Sequence, residues 1–162
     1  MAKVLLSLLL IGATCGLLLV GTHLLTAEPI QLNREARARA LATQMLGTPI
    51  PADVDIKQSV YGSCDHWVFQ QATSSGYAGP ITLLILWRAP SDGLTLRVTD
   101  HRETPGIGDF IDHTRDAWML QHDGKSADAY NAIDNVSGAT ITTKAVRQAA
   151  VRAIRNLKIY CE

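Results

Sequence analysis

Residues 134–140, with the sequence DNVSGAT, end in a threonine at the point where a helix-favouring segment begins. The start of a helix exposes unpaired N–H groups and carries partial positive charge, so it binds anions such as phosphate. Gly138 and Ala139 allow the backbone to approach a phosphate closely, and Thr140 then lies where the phosphate would rest. We therefore predict a phosphate site in which the Thr140 hydroxyl either donates a hydrogen bond or forms a phosphodiester.

A second stretch, HRETPGIGD at residues 101–109, combines a histidine, a carboxylate and a Thr-Pro-Gly sequence. Because proline presets φ and glycine tolerates positive φ, residues 104–106 by themselves indicate only a tight turn. Ser137 or another serine, together with His101 and an aspartate, would suit a membrane-anchored hydrolase. The chain lacks a G-x-S-x-G nucleophile elbow, and a hydrolase is therefore the weakest alternative function.

The turn before Thr140 must be held by the final helix, which is the clearest element in the sequence. Apolar residues recur there at i, i+3, i+4 and i+7, and basic residues occupy the other face. Thr142 or Thr143 is a candidate N-cap. Taken alone, the basic face predicts only a solvated surface. The apolar positions are Val146, Ala149, Ala150, Ala153, Ile154 and Leu157, and the basic positions are Lys144, Arg147, Arg152, Arg155 and Lys158.

Four apolar or alternating runs precede this helix and are predicted to be strands, at residues 54–61, 66–70, 81–87 and 94–99. Turn-forming residues separate the runs. One such group, PSDG at residues 90–93, predicts a hairpin loop between the last two strands. A short helix is predicted over residues 112–120.

An uncharged apolar run occupies residues 4–25. At about 1.5 Å per residue, a helix of this length can cross a hydrocarbon core, and we predict a membrane anchor. A cleaved signal peptide is the alternative because Lys3 precedes the run, but signal h-regions usually have only about 7–15 residues. The alanine-rich residues 33–46, with Asn33 as a cap and Gly47 as a stop, predict a stalk or first helix.

The composition limits the classes of protein and of site that the chain can form. The 162 residues are 47% hydrophobic and 19% charged, which leaves room for one modest core. The net charge of zero argues against a nucleic-acid-binding surface, which would have an excess of basic residues. Cys64 and Cys161 can form a disulfide in an oxidising compartment, although their spacing does not require one. Cys64, Asp65 and His66 are a weak metal-site candidate because a zinc site needs three or four ligands.

Three motifs resemble those of a family of proteins that carry covalent FMN. Residues 134–140 match the signature D-x-x-S/T-G-A-T, in which a flavin transferase joins the FMN phosphate to the last threonine. Residues 101–109 resemble the family's H-x-E-T-P-G-L-G-D segment, and GYAGPI at residues 76–81 resembles its G-Y-x-G-x-I strand entry. The chain is similar to the G subunit of Rnf-type electron-transport complexes and, more distantly, to the C subunit of the sodium-pumping NADH:quinone oxidoreductase.

The resemblance implies an α+β fold: a single N-terminal transmembrane helix, then one FMN-binding domain with a mainly antiparallel sheet packed by helices. The implied division is a transmembrane anchor at residues 1–27, a helical stalk at 28–50 and the FMN-binding domain at 51–162. Thr140 is the implied site of a covalent FMN phosphoester. The other implied cofactor-binding residues are Asp134, Ser137, Gly138, Ala139, Glu103, Thr104, Gly106, His101 and Lys144. His101 either joins the flavin contacts or hydrogen-bonds the backbone.

The resemblance also implies a function, as an electron-transfer subunit of an ion-translocating ferredoxin:NAD complex, with no turnover of its own. The implied partners are the other members of the complex and a flavin transferase, and the implied location is a single pass through the bacterial cytoplasmic membrane with the soluble domain outside. A positive-inside count would instead leave the domain in the cytoplasm, since Lys3 precedes the anchor whereas Arg34, Arg37 and Arg39 follow it. Long domains are translocated largely regardless of charge, so the count does not determine the orientation. A flavin-free assembly or scaffold subunit is the alternative.

Overall fold

The computed structural model describes residues 2–57 and 60–161, in two compact units, Met1–Ala36 and Arg37–Glu162. A long helix, α1 (Ala2–Leu46), forms the first unit and supplies the beginning of the second. By length and composition its apolar part can cross a membrane. The helices predicted over residues 4–25 and 33–46 both lie within α1, and both predictions are confirmed.

A four-stranded sheet forms the centre of the second unit. Its strands are β1 (Tyr61–Ser63), β2 (Trp67–Ser75), β3 (Pro80–Arg88) and β4 (Gly93–Asp100). They lie in the order β1-β2-β3-β4, and every neighbouring pair is antiparallel. The predicted hairpin loop between β3 and β4 is confirmed, with Asp92 in the left-handed region at φ 49°. The α+β fold with an antiparallel sheet is therefore confirmed as well.

The sheet is covered on both faces because β3 presents apolar side chains in both directions. Leu83 and Ile85 belong to one apolar cluster, and Leu84 and Leu86 belong to another. Alternate residues of a strand point to opposite faces, so the continuous apolar run of β3 fits a strand buried on both sides. On the second face, the covering residues from the end of α1 are Ala38, Leu41 and Ala42.

Two further helices, α2 (Ala127–Asn131) and α3 (Thr140–Cys161), complete the second unit. The apolar stripe predicted for the final helix packs against the first face of the sheet, where small alanine side chains allow close contact. A hydrogen bond of 3.0 Å from Gln70 Nε2 to the Ala153 carbonyl also links α3 to β2. Helix α3 is therefore fixed along the sheet, and its first residue, Thr140, is held with it.

The helix predicted over residues 112–120 is wrong. The structure has only short 3₁₀ turns at Asp109–Ile111 and Leu120–His122, with turns and bends between them. The Asp112 carboxylate accepts hydrogen bonds from the N–H and hydroxyl of Thr114, and Asp116 accepts one from the N–H of Trp118. Such local bonds between aspartate side chains and the backbone compete with helix formation.

Two other predicted boundaries are corrected. The strand predicted over residues 54–61 is wrong for 54–57, which form no strand and turn at 56–57, and for residue 60. Residues 58 and 59 lie outside the described residues, and only Tyr61 lies in a strand, β1. The Arg39 guanidinium donates to the carbonyl of Val54 at 2.6 Å and so links this segment to the end of α1. The predicted cap at Thr142 or Thr143 is also wrong, because α3 begins at Thr140 and both threonines are buried inside its first turns.

The structure pairs Cys64 with Cys161 in a disulfide, with a Cα–Cα distance of 5.6 Å. Cys64 follows β1, and Cys161 is the last residue of α3, so the bond joins the edge of the sheet to the end of the helix. A disulfide sulfur is not a metal ligand. Among residues 2–57 and 60–161, no three His, Cys, Asp or Glu side chains are grouped as a metal site would require.

Candidate functional site

A β-turn over residues 136–139 leads directly into α3. The N–H of Ala139 donates to the carbonyl of Val136 at 2.9 Å, and Gly138 has φ 77°, the conformation that the third residue of a type II turn requires. The first N–H groups of the helix, beginning at Thr140, have no partner within the helix. Thr140 is exposed. Its hydroxyl is therefore accessible at a helix N-terminus, as the sequence predicts.

A second turn of the same kind lies at residues 104–107. The N–H of Ile107 donates to the carbonyl of Thr104 at 3.1 Å, and Gly106 has φ 76°. Proline at the second position and glycine at the third are the residues that a type II turn favours. The Gly106 N–H donates to Asp109 Oδ1 at 2.7 Å, which holds the turn closed.

Glu103 joins three separate segments of the chain at one buried carboxylate, which is only 4% exposed. Its Oε1 accepts a hydrogen bond from the N–H of Ala78 at 3.1 Å, and its Oε2 accepts one from the hydroxyl of Thr142 at 2.5 Å. A Cβ added to Gly76 would overlap Oε1, and one added to Gly108 would lie 2.9 Å from Oε2. The β2–β3 connection, the second turn and α3 are thus fixed around one side chain.

We predict that Glu103→Ala and Thr142→Val each lower the free energy of unfolding by about 1–3 kcal/mol. Truncation of Glu103 leaves the Thr142 hydroxyl without its acceptor at a position that is 1% exposed. Because both substitutions break one shared bond, the double variant should lose less than the sum of the two, by about 0.5–3 kcal/mol. Urea unfolding of the four proteins measures this difference.

A surface pair of the same chemistry provides the control. The Thr114 hydroxyl donates to Asp112 Oδ1 at 2.8 Å, and this bond is exposed. Thr114→Val should therefore change the free energy of unfolding by less than about 0.5 kcal/mol. Additive effects of the Glu103 and Thr142 substitutions would show that the two side chains do not act together.

These segments enclose a cavity of about 350 Å³, here named the Thr140 cavity. This volume lies within the range of about 300–1,000 Å³ typical of small-molecule sites. The described residues that line the cavity come from the β2–β3 connection, the second turn and the start of α3. They are Tyr77, Glu103, Thr104, Ile107, Gly108, Gly138, Ala139, Thr140, Ile141 and Thr142.

Five of the predicted site residues therefore meet at the Thr140 cavity, whereas five others do not line it. Gly106 lies in the second turn but donates its N–H to Asp109, and His101 accepts a hydrogen bond at Nδ1 from the N–H of Glu103 at 3.1 Å. The remaining three, all exposed, lie before Thr140 or on the helix after it: Asp134, Ser137 and Lys144.

His101 instead lines a second, polar cavity of about 560 Å³, together with Asp112 and His113. Burial works against ionisation of Asp112, but hydrogen bonds from Thr114 and the neighbouring histidines place its pKa below the ordinary value. Burial, and then the nearby Arg97 guanidinium, lower the pKa of His113. Both effects favour the neutral imidazole of His113. Within the described residues Ser137 and His101 form no hydrogen bond, so the geometry does not support the hydrolase alternative.

Five of the residues that line the cavity are not among the site residues predicted from the sequence: Tyr77, Ile107, Gly108, Ile141 and Thr142. Two of them lie inside the stretches that were singled out, since Ile107 and Gly108 belong to HRETPGIGD. Tyr77 belongs to GYAGPI, one of the three motifs that carry the family resemblance. The sequence feature that could have identified such residues is a large apolar side chain next to a turn glycine.

The chain is similar in sequence to known proteins over the region that contains the Thr140 cavity. A family model described as an FMN-binding domain matches residues 76–155, which include all the residues that line the Thr140 cavity. The chain is 31% identical to the G subunit of the ion-translocating oxidoreductase complex of Pseudomonas aeruginosa (strain UCBPP-PA14), over 86% of this chain and 80% of that protein. It is 28% identical to the protein of the same description from Haemophilus influenzae (strain PittEE), over 84% of this chain and 80% of that protein.

Proposed function

Because the chain belongs to the family of G subunits of ion-translocating oxidoreductase complexes and contains an FMN-binding domain, we propose that it carries FMN as a covalent phosphoester on Thr140. The family predicted from the three motifs is confirmed, and with it the function of an FMN-carrying electron-transfer subunit. The observation that carries the proposed linkage is the exposed Thr140 hydroxyl, which lies at the start of α3 and at the edge of a cavity.

The residues of the Thr140 cavity fit FMN in both chemistry and size. The start of α3 offers N–H groups and a positive helix end to a phosphate, and the turn at Gly138 leaves open space there. The adjoining cavity is large enough for a planar ring system. When bound, FMN supplies the electron exchange through its ring, and the protein supplies position and electrostatics.

Lys144 is the basic residue best placed to assist at the phosphate. It lies four residues after Thr140 on α3, so the two side chains project from the same face of the helix. Its exposed ammonium group can therefore compensate the single negative charge of a phosphodiester. Ser137 is an exposed structural hydroxyl within the turn. Asp134 is exposed just before the turn, where we propose that it fixes the loop or presents the site to the modifying enzyme.

We propose that Glu103 and Thr104 form the part of the cavity wall that faces the flavin ring. Both oxygens of the Glu103 carboxylate already accept hydrogen bonds from the protein, so this side chain fixes the wall. The exposed hydroxyl of Thr104 is free to contact the cofactor from the second turn. We propose that His101 supports the backbone at Glu103, because His101 Nδ1 accepts a hydrogen bond from the Glu103 N–H.

The protein is a single-pass membrane component of a redox complex, and we propose that its second unit lies on the outer side of the membrane. The support for this orientation is the disulfide between Cys64 and Cys161, because structural disulfides persist in oxidising compartments and are rare in the cytosol. The arginines that follow the apolar helix, Arg34, Arg37 and Arg39, count in the opposite direction. We give the disulfide more weight because long domains cross membranes largely regardless of charge.

The proposal also names a maturation partner, a flavin transferase that esterifies Thr140. The chain isolated from its native membrane should contain a peptide with Thr140 whose mass is increased by one FMN less one water. The rival function, a flavin-free scaffold within the same complex, requires an unmodified peptide. Mass spectrometry of the digested protein distinguishes the two, and a fluorescent band on a denaturing gel is the rapid form of the test.

A further inference from the structure

Tyr77 lies at the mouth of the Thr140 cavity and is 72% exposed. Two other large apolar side chains line the same cavity and are also exposed, Ile107 at 56% and Ile141 at 52%. These three residues come from three different segments: the β2–β3 connection, the second turn and the first turn of α3. Exposed apolar groups that converge on a cavity mark a surface that a ligand or partner covers.

The backbone at Tyr77 is fixed even though its side chain is exposed. Within the connection, the N–H of Gly76 donates to the carbonyl of Gly79 at 2.8 Å. The N–H of Ala78 donates to the buried carboxylate of Glu103, and Gly76 leaves no room for a side chain against that same carboxylate. Tyr77 is therefore carried on a rigid support whose position relative to the start of α3 is set through Glu103 and Thr142.

Apart from Tyr77, the cavity wall has few groups that could contact the face of a planar ring. Glu103 and Thr142 are bonded to each other, and the remaining described lining residues apart from Thr104 and Thr140 are aliphatic or glycine, except for Tyr77. In the described part of the chain, the Tyr77 hydroxyl has no hydrogen-bond partner. A planar aromatic side chain on a fixed support is the group best suited to contact a planar ligand.

We propose that the phenol ring of Tyr77 stacks on the flavin ring tethered at Thr140, while Ile107 and Ile141 contact the apolar part of that ring. The inference rests on the proposed function. Aromatic rings prefer offset-stacked contacts with centroids about 4.5–7 Å apart, and such a contact gives up none of the hydrogen bonds that already hold the wall. The alternative is that a partner protein covers the exposed side chain of Tyr77. In that case the phenol ring would not contact the flavin.

The test compares variants of the full chain, each produced together with a flavin transferase and each first shown by mass to carry flavin. A phenol stacked on a flavin quenches its fluorescence by donating an electron to the excited ring, so Tyr77→Leu should raise the fluorescence per bound flavin severalfold. Tyr77→Phe keeps an aromatic ring without the phenol, and it should also raise the fluorescence while retaining the visible absorption spectrum of the unaltered protein.

Tyr160 provides a matched control because it is also an exposed tyrosine, at 53%. It lies near the other end of α3, about 30 Å from Thr140 at 1.5 Å per residue, so Tyr160→Leu should leave the fluorescence unchanged. Flavin-loaded Tyr77→Leu with unchanged fluorescence would overturn the stacking inference alone. Absence of flavin from the unaltered protein would instead overturn the proposed function, and this inference with it.

Discussion

Thr140→Val should abolish covalent attachment of flavin while leaving the fold intact. Valine has nearly the shape of threonine and the same branching at Cβ, but it lacks the oxygen that a phosphoester requires. Thr140 is exposed, so we expect the free energy of unfolding to change by less than about 0.5 kcal/mol. The measurement is the fluorescence of the denatured protein on a gel after expression with a flavin transferase, checked by the intact mass.

Ser137→Ala is the matched control for this variant. Ser137 is an exposed hydroxyl three residues before Thr140, on the same turn, but it precedes the helix and does not line the cavity. Its loss should leave the flavin content near that of the unaltered protein. If Thr140→Val still carried one flavin, the phosphoester would have to be at another residue, and the helix N-terminus would lose its proposed role.

Removal of the disulfide should have the largest effect on stability. Cys64 and Cys161 are 97 residues apart in the sequence, so the bond restricts a long stretch of the unfolded chain. Replacement of both cysteines by serine should lower the free energy of unfolding by about 2–5 kcal/mol, as is typical for native disulfides. Urea unfolding in mild detergent measures the loss. Cys15→Ser, at the free and exposed cysteine, should have no comparable effect.

The same pair of cysteines tests the orientation in the membrane. In membranes prepared in the presence of an alkylating reagent, Cys64 and Cys161 should resist labelling until a reductant is added, because their sulfurs are joined in a disulfide. Labelling of both without reduction would place the domain in a reducing compartment and would contradict the outer location. A normal stability for the doubly substituted protein would contradict the structural role but not the location.

Much of the fold is predictable from local patterns in the sequence. Strand β3 has an apolar run that fits a strand buried on both faces, and α3 has an apolar stripe at helical spacing. The short helix predicted over residues 112–120 does not form. There the aspartate side chains bonded the backbone locally and prevented a helix, which a count of apolar positions does not take into account.

The site was predictable to the extent that it consists of local turns. The turn before Thr140 and the turn at residues 104–107 each follow from their own glycine. The bond between Glu103 and Thr142 joins residues 39 apart in sequence, and nothing in either stretch specifies it. The exposed position of Tyr77 likewise depends on the packing of its connection against Glu103. Such contacts follow from the tertiary fold and not from a periodic pattern.

The last ten residues of α1 have a consequence for any water-soluble version of this protein. Ala38, Leu41 and Ala42 are buried against Phe69 and other apolar side chains of the sheet, and Arg39 binds backbone carbonyls of the segment that follows α1. A fragment that begins after α1 would expose the apolar side chains of β2 and β3 that α1 covers, and it would be prone to aggregate. Separation of the second unit from the apolar part of α1 therefore requires a cut ahead of Arg37.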